Sequence, residues 1–272
     1  MTTKVSIRKI TPGLYWIMGC VNVDQMKTED SEDEWYVPGR EIHTSNNAFL
    51  IVGEKSFLWE TLSPANREGV VKALKDILGD RPLDYVAVSH TEAPHGGNAT
   101  AIMEAFPQST LVASAHGHHH EMYHLEDAMR VAQGDEINLG DGFVVDFVKA
   151  VFADTPMSIW MSERKMNTLF TVDYFGIPHM DSECVKFIDE IENGITVDRL
   201  AAFHLPAFQW LRFADPERTD DLIDYIIETY DPDILAPTHG NIIREDPSKY
   251  TEQVKQMIAP IKEQNRTSVV FE

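Results

Sequence analysis

The amino-acid sequence predicts an α/β fold, a sandwich of two sheets covered by helices. Three features predict it. Short apolar runs of strand length cluster in each half of the chain, and amphipathic stretches of helical period lie between and after them. Three of the apolar runs also close on histidine or carboxylate side chains.

The elements follow in chain order. Leu14–Met18 and Ala48–Val52 read as strands flanking a polar stretch, whose acidic segment from Lys27 to Glu34 reads as a solvated loop. Ser56–Glu60 pairs back through a Gly53-Glu54-Lys55 turn, and Pro64–Leu78 has the spacing of an amphipathic helix. Leu83–Ser89 reads as a buried strand, Ala99–Phe106 as a helix and Thr110–Ala113 as a further strand. In the second half Phe143–Val148, Ser158–Met161, Thr168–Val172 and Asp233–Ala236 read as strands, and Asp220–Tyr230 and Tyr250–Lys262 as helices. No linker-like composition break divides the chain, so a single domain over residues 1–272 is expected.

Composition excludes several function classes. With 43% hydrophobic and 25% charged residues, the chain is an ordinary globular sequence. Its 23 basic against 44 acidic residues give a net charge of -21, which repels phosphate backbones and anionic lipid. Nucleic-acid and membrane partners are therefore not expected; a small-molecule substrate and a homo- or hetero-oligomer are. The start of the chain has no apolar stretch of signal length and no run reaches membrane-span length, so the expected location is cytoplasmic. Cys20 and Cys184 are too few for a disulfide framework, and Cys20 reads as a structural thiol, with a metal ligand as the lesser alternative.

The chemistry concentrates at strand ends. His90-Thr91-Glu92-Ala93-Pro94-His95-Gly96-Gly97 follows one buried strand and precedes a helix. Residues two apart in extended backbone face the same way, so His90 and Glu92 converge, and His95 in the next turn aims back at the same region. A second strand closes on Asp173, and a third leads through Pro237-Thr238 to His239. Imidazole nitrogen and carboxylate oxygen together suit zinc, iron or manganese.

These residues resemble the metallo-β-lactamase superfamily and, within it, the metal-binding domain of flavodiiron proteins. The family's metal turn is His-x-His-x-Asp-His, the flavodiiron form is His-x-Glu-x-Asp-His, and this chain reads His90-x-Glu92-x-Pro94-His95. Asp173, before Tyr174-Phe175-Gly176, matches the bridging aspartate, and His239 in Ala236-Pro237-Thr238-His239-Gly240 matches the last histidine. Gly13–Ile17 and Ser45–Ile51 also fit, so the likeness spans roughly residues 5–265. It implies a metallo-β-lactamase-like αββα sandwich. It also implies metal ligands at His90, Glu92, His95, Asp154, Asp173 and His239, holding one or two divalent transition metals: iron or zinc, with manganese a third choice. Two departures stand out. Pro94 replaces a ligand aspartate, and the family's middle histidine has no counterpart, leaving Asp154 or, on another alignment, the non-ligating Phe152.

Other conspicuous residues carry bland readings. His116, His118, His119, His120 and His124 read as a solvent-facing helix start, and His43, His179 and His204 as core or rim histidines. Glu60 at a strand end either holds a ligand histidine or is an exposed turn residue. Trp160, Phe208, Trp210 and Phe213 either line an apolar pocket over the metal or belong to a core or subunit interface.

The leading functional expectation is a metal-dependent hydrolase acting on an apolar or aromatic substrate with an activated ester or ether bond. There the metal would lower the pKa of bound water, with Asp173 as the catalytic residue positioning it. The alternative is a non-haem iron protein that binds or reduces oxygen or nitric oxide, favoured by Glu92. The sequence shows no flavodoxin-like segment, so that reading requires a separate reductase. A supporting subunit of a paired paralogue is the third reading, motivated by Pro94.

Overall fold

The computed structural model describes residues 4–23, 39–115, 127–155 and 157–267. The first part of the chain forms β1 (Val5–Thr11), β2 (Leu14–Asn22), β3 (Ile42–Val52), β4 (Ser56–Trp59), α1 (Arg67–Leu78) and β5 (Tyr85–Val88). It continues with α2 (Ala93–Gly96), α3 (Ala99–Ala105), β6 (Thr110–Ser114) and β7 (Met129–Val131). The rest forms β8 (Glu136–Gly140), β9 (Phe143–Lys149), β10 (Ile159–Glu163), β11 (Thr168–Val172), β12 (His179–Met180), α4 (Val197–Ala207), α5 (Pro216–Tyr230), β13 (Ile234–Pro237) and α6 (Pro247–Thr267).

The strands make two sheets. One runs β1-β2-β3-β4-β5-β6-β7, with β12 joined to the start of β3, and the other runs β13-β11-β10-β9-β8. Side chains alternate across a strand. In β2 and β3 this sends Trp16, Met18, Phe49 and Ile51 to one face and Ile17, Ala48 and Leu50 to the other. The first set meets Phe147, Trp160, Met161 and Phe170 of the second sheet in a common core. The second set lies under Val70, Ala73, Leu74 and Leu78 of α1 and Ile102 of α3, whose three- and four-residue spacing puts them on one helical face. Leu200, Ile223, Ile226, Val254 and Met257 of α4, α5 and α6 cover the outer side of the second sheet. The result is helix, sheet, sheet, helix, as expected.

Six described elements went unanticipated: β1, β7, β8, β12, α2 and α4. Among the described residues β1 is an edge strand paired with β2, and its Arg8 and Lys9 dilute the apolar alternation. β12 has two residues and exists only because His179 and Met180 pair with His43 and Ile42. α4 contains Pro206, a helix breaker in sequence terms, which sits in the last turn where it interrupts little. No described helix is long and apolar enough to cross a membrane.

Candidate metal centre

Parallel strands finish on the same side of a sheet. β4 and β5 are parallel neighbours in the first sheet, and β11 and β13 are parallel neighbours in the second. Glu60, His90, Asp173 and His239 lie one or two residues beyond these four strands, so both sheets deliver side chains to one seam. The backbone bends sharply at two of these ends. Glu60 has φ 67° and Val172, just before Asp173, φ 55°. A β-branched residue in the left-handed region is rare and costs about 1–3 kcal/mol, so the surrounding structure must impose it. Part of that hold is Thr238, whose N–H donates to the Val172 carbonyl at 2.6 Å.

The structure brings all six sequence-derived candidates together. Asp173 faces two ways: Oδ1 lies 3.4 Å from His239 Nε2 and 3.6 Å from His95 Nε2, and Oδ2 lies 3.8 Å from His90 Nε2. Asp154 Oδ2 stands 3.6 Å from the same His90 nitrogen. Glu92 is the exposed member, with donor atoms of His90, Glu92 and Asp154 within 4.8 Å of one another. These separations exceed hydrogen-bond length. His90 Nε2, His95 Nε2 and Asp173 Oδ2 are buried without a hydrogen-bond partner. Buried polar atoms rarely stay unpartnered, and a convergent set of nitrogen and carboxylate donors with space between them fits a transition metal.

The outer imidazole nitrogens are tied down. His239 Nδ1–H donates to the Ser45 carbonyl at 2.8 Å, and His90 Nδ1 lies 3.1 Å from Ser89 Oγ and 3.2 Å from Ser158 Oγ. Ser158 Oγ also donates to Asp154 Oδ1 at 3.1 Å, so one hydroxyl aligns two donors. His95 Nδ1 sits 3.1 Å from Glu60 Oε2, and both side chains are fully buried. Glu60 is therefore the holder of a site histidine, and not an exposed turn residue. Such partners fix which nitrogen faces the ion.

Electrostatics assign the protons of the metal-free chain. Burial, reinforced by the positive His95, pushes His90 down to about 3, leaving it neutral. Burial acts against a charged His95 as well, but the Glu60 and Asp173 carboxylates outweigh it and lift the imidazole to about 10. Burial would raise Asp173, yet the surrounding histidines hold it well below the usual carboxylate range. Asp154 is lifted to about 6 by burial and by the charge on Asp173.

The remaining sequence candidates sort clearly. Phe152 is buried against Tyr174, Phe208 and Trp210 and offers no donor. Trp160 and Phe208 belong to the common core, so they do not line an open pocket. Trp210 donates from Nε1 to the Ala153 carbonyl at 2.9 Å and so anchors the segment that carries Asp154. Phe213 is 89% exposed and covers nothing. His204 is satisfied at both nitrogens, by the Leu200 carbonyl and the Phe175 N–H, as a core histidine should be. The cluster from His116 to His124 lies outside the described residues. Sequence reasoning missed Ser45, Ser89 and Ser158, since a serine contact carries no spacing signature.

A family model for the metallo-beta-lactamase superfamily matches residues 43–249. The chain belongs to that superfamily. Among relatives, a nitric oxide reductase of Moorella thermoacetica is 28% identical over 89% of this chain and 59% of its own length. An anaerobic nitric oxide reductase flavorubredoxin of Vibrio vulnificus is 25% identical over 77% of the chain and 42% of its length. The chain thus spans about six tenths or less of these relatives. In fold it is similar to rubredoxin oxygen:oxidoreductase from Desulfovibrio gigas, with TM-score 0.67, 21% identity and coverage of 96% of this chain and 62% of that one. A variant of the flavo di-iron protein from Thermotoga maritima gives TM-score 0.73 at 18% identity, covering 95% and 62%. The flavodiiron likeness read from the sequence is borne out. The hydrolytic expectation is overturned: these relatives are named as nitric oxide reductases and an oxygen oxidoreductase, so the metal-activated water and the catalytic role assigned to Asp173 in positioning it are withdrawn. Its error lay in weighting the fold above Glu92, the residue that separates the flavodiiron turn from the hydrolytic one.

Proposed function

We propose that this chain is a non-haem iron protein that binds and reduces nitric oxide or oxygen, with electrons supplied by a flavin-class reductant. The observation that carries the reading is Asp173, whose two carboxylate oxygens face separate histidine groups across one buried seam. His95, His239 and Asp173 would hold one iron, and His90, Glu92, Asp154 and Asp173 the other. Carboxylate-rich sets with imidazole suit iron. When bound, the pair would supply one-electron redox chemistry.

The chain's own residues set the conditions. Glu60, Ser45, Ser89 and Ser158 orient the imidazoles, so little rearrangement accompanies loading. Phe203 packs 5.6 Å from the His239 ring, and Phe152 4.6 Å from Tyr174, giving a dry wall on the second-sheet side. Exposed Glu92 marks the side open to solvent.

Loading should release protons. In the metal-free chain His95 carries a proton at neutral pH because its pKa is raised to about 10, and a ligand nitrogen must lose it. Metal affinity therefore rises with pH, and about one proton per chain leaves at pH 7, with Asp154 adding a second below about 6. Calorimetry in buffers of different ionisation enthalpy measures this, and buffer-independent heats would contradict it.

Pro94 occupies the first turn of α2, where a fixed φ and a missing N–H are tolerated. Pro94→Asp adds a carboxylate beside His95 and removes no donor, so metal occupancy should rise or hold. A clear fall would mean that the proline shapes a centre complete without that aspartate.

Function is tested anaerobically with the ferrous-loaded chain, a photoreduced flavin as electron source, and nitric oxide or oxygen. Consumption of either gas above the iron-free control, on the order of 1 s⁻¹ or faster, is expected. A ferrous chain inert to both gases would refute the reading.

A further inference from the structure

A second cluster of soft donors lies in the first sheet. β2 brings Cys20, β3 brings His43, β12 brings His179, and Cys184 follows the turn after β12. Their donor atoms all fall within 4.8 Å of one another. His43 Nδ1 is 3.3 Å from Cys184 Sγ, and His179 Nε2 is 3.4 Å from Cys20 Sγ and 3.5 Å from Cys184 Sγ. Bonds of 2.3 Å to sulfur and about 2.05 Å to nitrogen around a tetrahedral ion give donor separations of about 3.3–3.8 Å. The nitrogen–sulfur distances match that. The Sγ–Sγ separation of 2.6 Å is shorter, closer than two independent thiols sit, and longer than the ~2.05 Å of a disulfide.

We propose that Cys20, His43, His179 and Cys184 form a tetrahedral Cys2His2 site for a zinc-class divalent ion, separate from the carboxylate-rich centre. A disulfide would use two of the four donors and leave two imidazole nitrogens aimed at sulfur without purpose; an ion uses all four. His43 supplies an independent sign. Its other nitrogen, Nε2, lies 3.1 Å from Glu41 Oε2, the carboxylate–histidine arrangement that turns a ring toward a metal. The turn is also held from outside, since Arg8 donates to the Val185 carbonyl at 2.6 Å and Val185 has φ 56°. The sequence pointed away from this site, because the two cysteines are 164 residues apart and the two-residue β12 that presents His179 has no sequence signature.

Such an ion would fasten β12 to β2 and β3. Ser45, the cross-strand partner of Cys20, accepts the His239 hydrogen bond, so the clamp steadies a strand that also orients the other centre. The assignment does not depend on the iron reading.

The test titrates the thiols of the reduced, zinc-exposed chain with a mercurial while a chromophoric chelator reports released zinc. About one zinc per chain should appear as the two thiols react, with the metal of the carboxylate-rich centre retained. Cobalt(II) loading should give the thiolate charge-transfer and tetrahedral bands, lost in Cys184→Ser and weakened about 10–100-fold in affinity in Glu41→Gln. The mercurial release, made on the unaltered chain, decides the matter if Cys184→Ser fails to fold. Thiols that react without releasing zinc, a disulfide in the unreduced denatured chain, or iron or copper released in its place would overturn the proposal.

Discussion

Asp173→Ala should leave a folded chain that no longer retains metal at the carboxylate-rich centre. Among the described residues Asp173 is the one that faces both histidine groups, and its carboxylate balances the charged His95 imidazole. Removing one member of a buried charged set costs about 3–5 kcal/mol, which if lost from metal binding is on the order of 10²–10⁴ in affinity. Folding should survive, because Glu60 remains to partner His95 and the strands that carry the histidines are held by core residues. Metal content after dialysis, beside circular dichroism, measures the effect. A variant that keeps its metal and turnover would show that Asp173 is not the shared ligand.

The next largest effect is expected at Glu60→Gln. Glutamine preserves shape, and its oxygen still accepts from the Ser89 N–H, which lies 3.3 Å from Glu60 Oε1. Its amide nitrogen, however, then faces His95 Nδ1 and cannot accept that proton. In the neutral ring the proton then sits on Nε2, the nitrogen that faces Asp173 and would bind the ion, whereas Glu60 keeps it on Nδ1. Metal affinity should fall about 10–100-fold. His95 also loses the largest influence raising its pKa, so the proton released on loading should diminish. Unchanged affinity and proton release in a folded Glu60→Gln would remove Glu60 from the site.

These two residues differ in how far the sequence disclosed them. Asp173 ends a fully buried apolar strand, and such a run closing on a carboxylate stands out. Glu60 also ends a buried strand, but whether it turned inward depended on its positive φ, which no residue pattern announces. The sandwich was legible because β2, β3, β9 and β11 carry dense apolar runs and α1 keeps helical spacing. β12 was not, since pairing with β3 creates it and its own two residues do not. Asp154 was legible only as one of two alignments. Its place beside His90 depends on Ser158 and on the Trp210 contact with Ala153, both set by tertiary packing. The reaction class was legible as a choice between Glu92 and the general habit of the fold, and the habit misled.

On the proposed reading Asp173 would join two irons in the carboxylate-rich seam. Mössbauer spectroscopy of the anaerobically iron-loaded chain, read before and after exposure to oxygen, tests it most directly. About two high-spin ferrous ions per chain are expected to become an exchange-coupled, diamagnetic ferric pair, with loss of that signal in Asp173→Ala. Iron that stays magnetically isolated after oxidation, or a centre that takes up zinc and excludes iron, would contradict it.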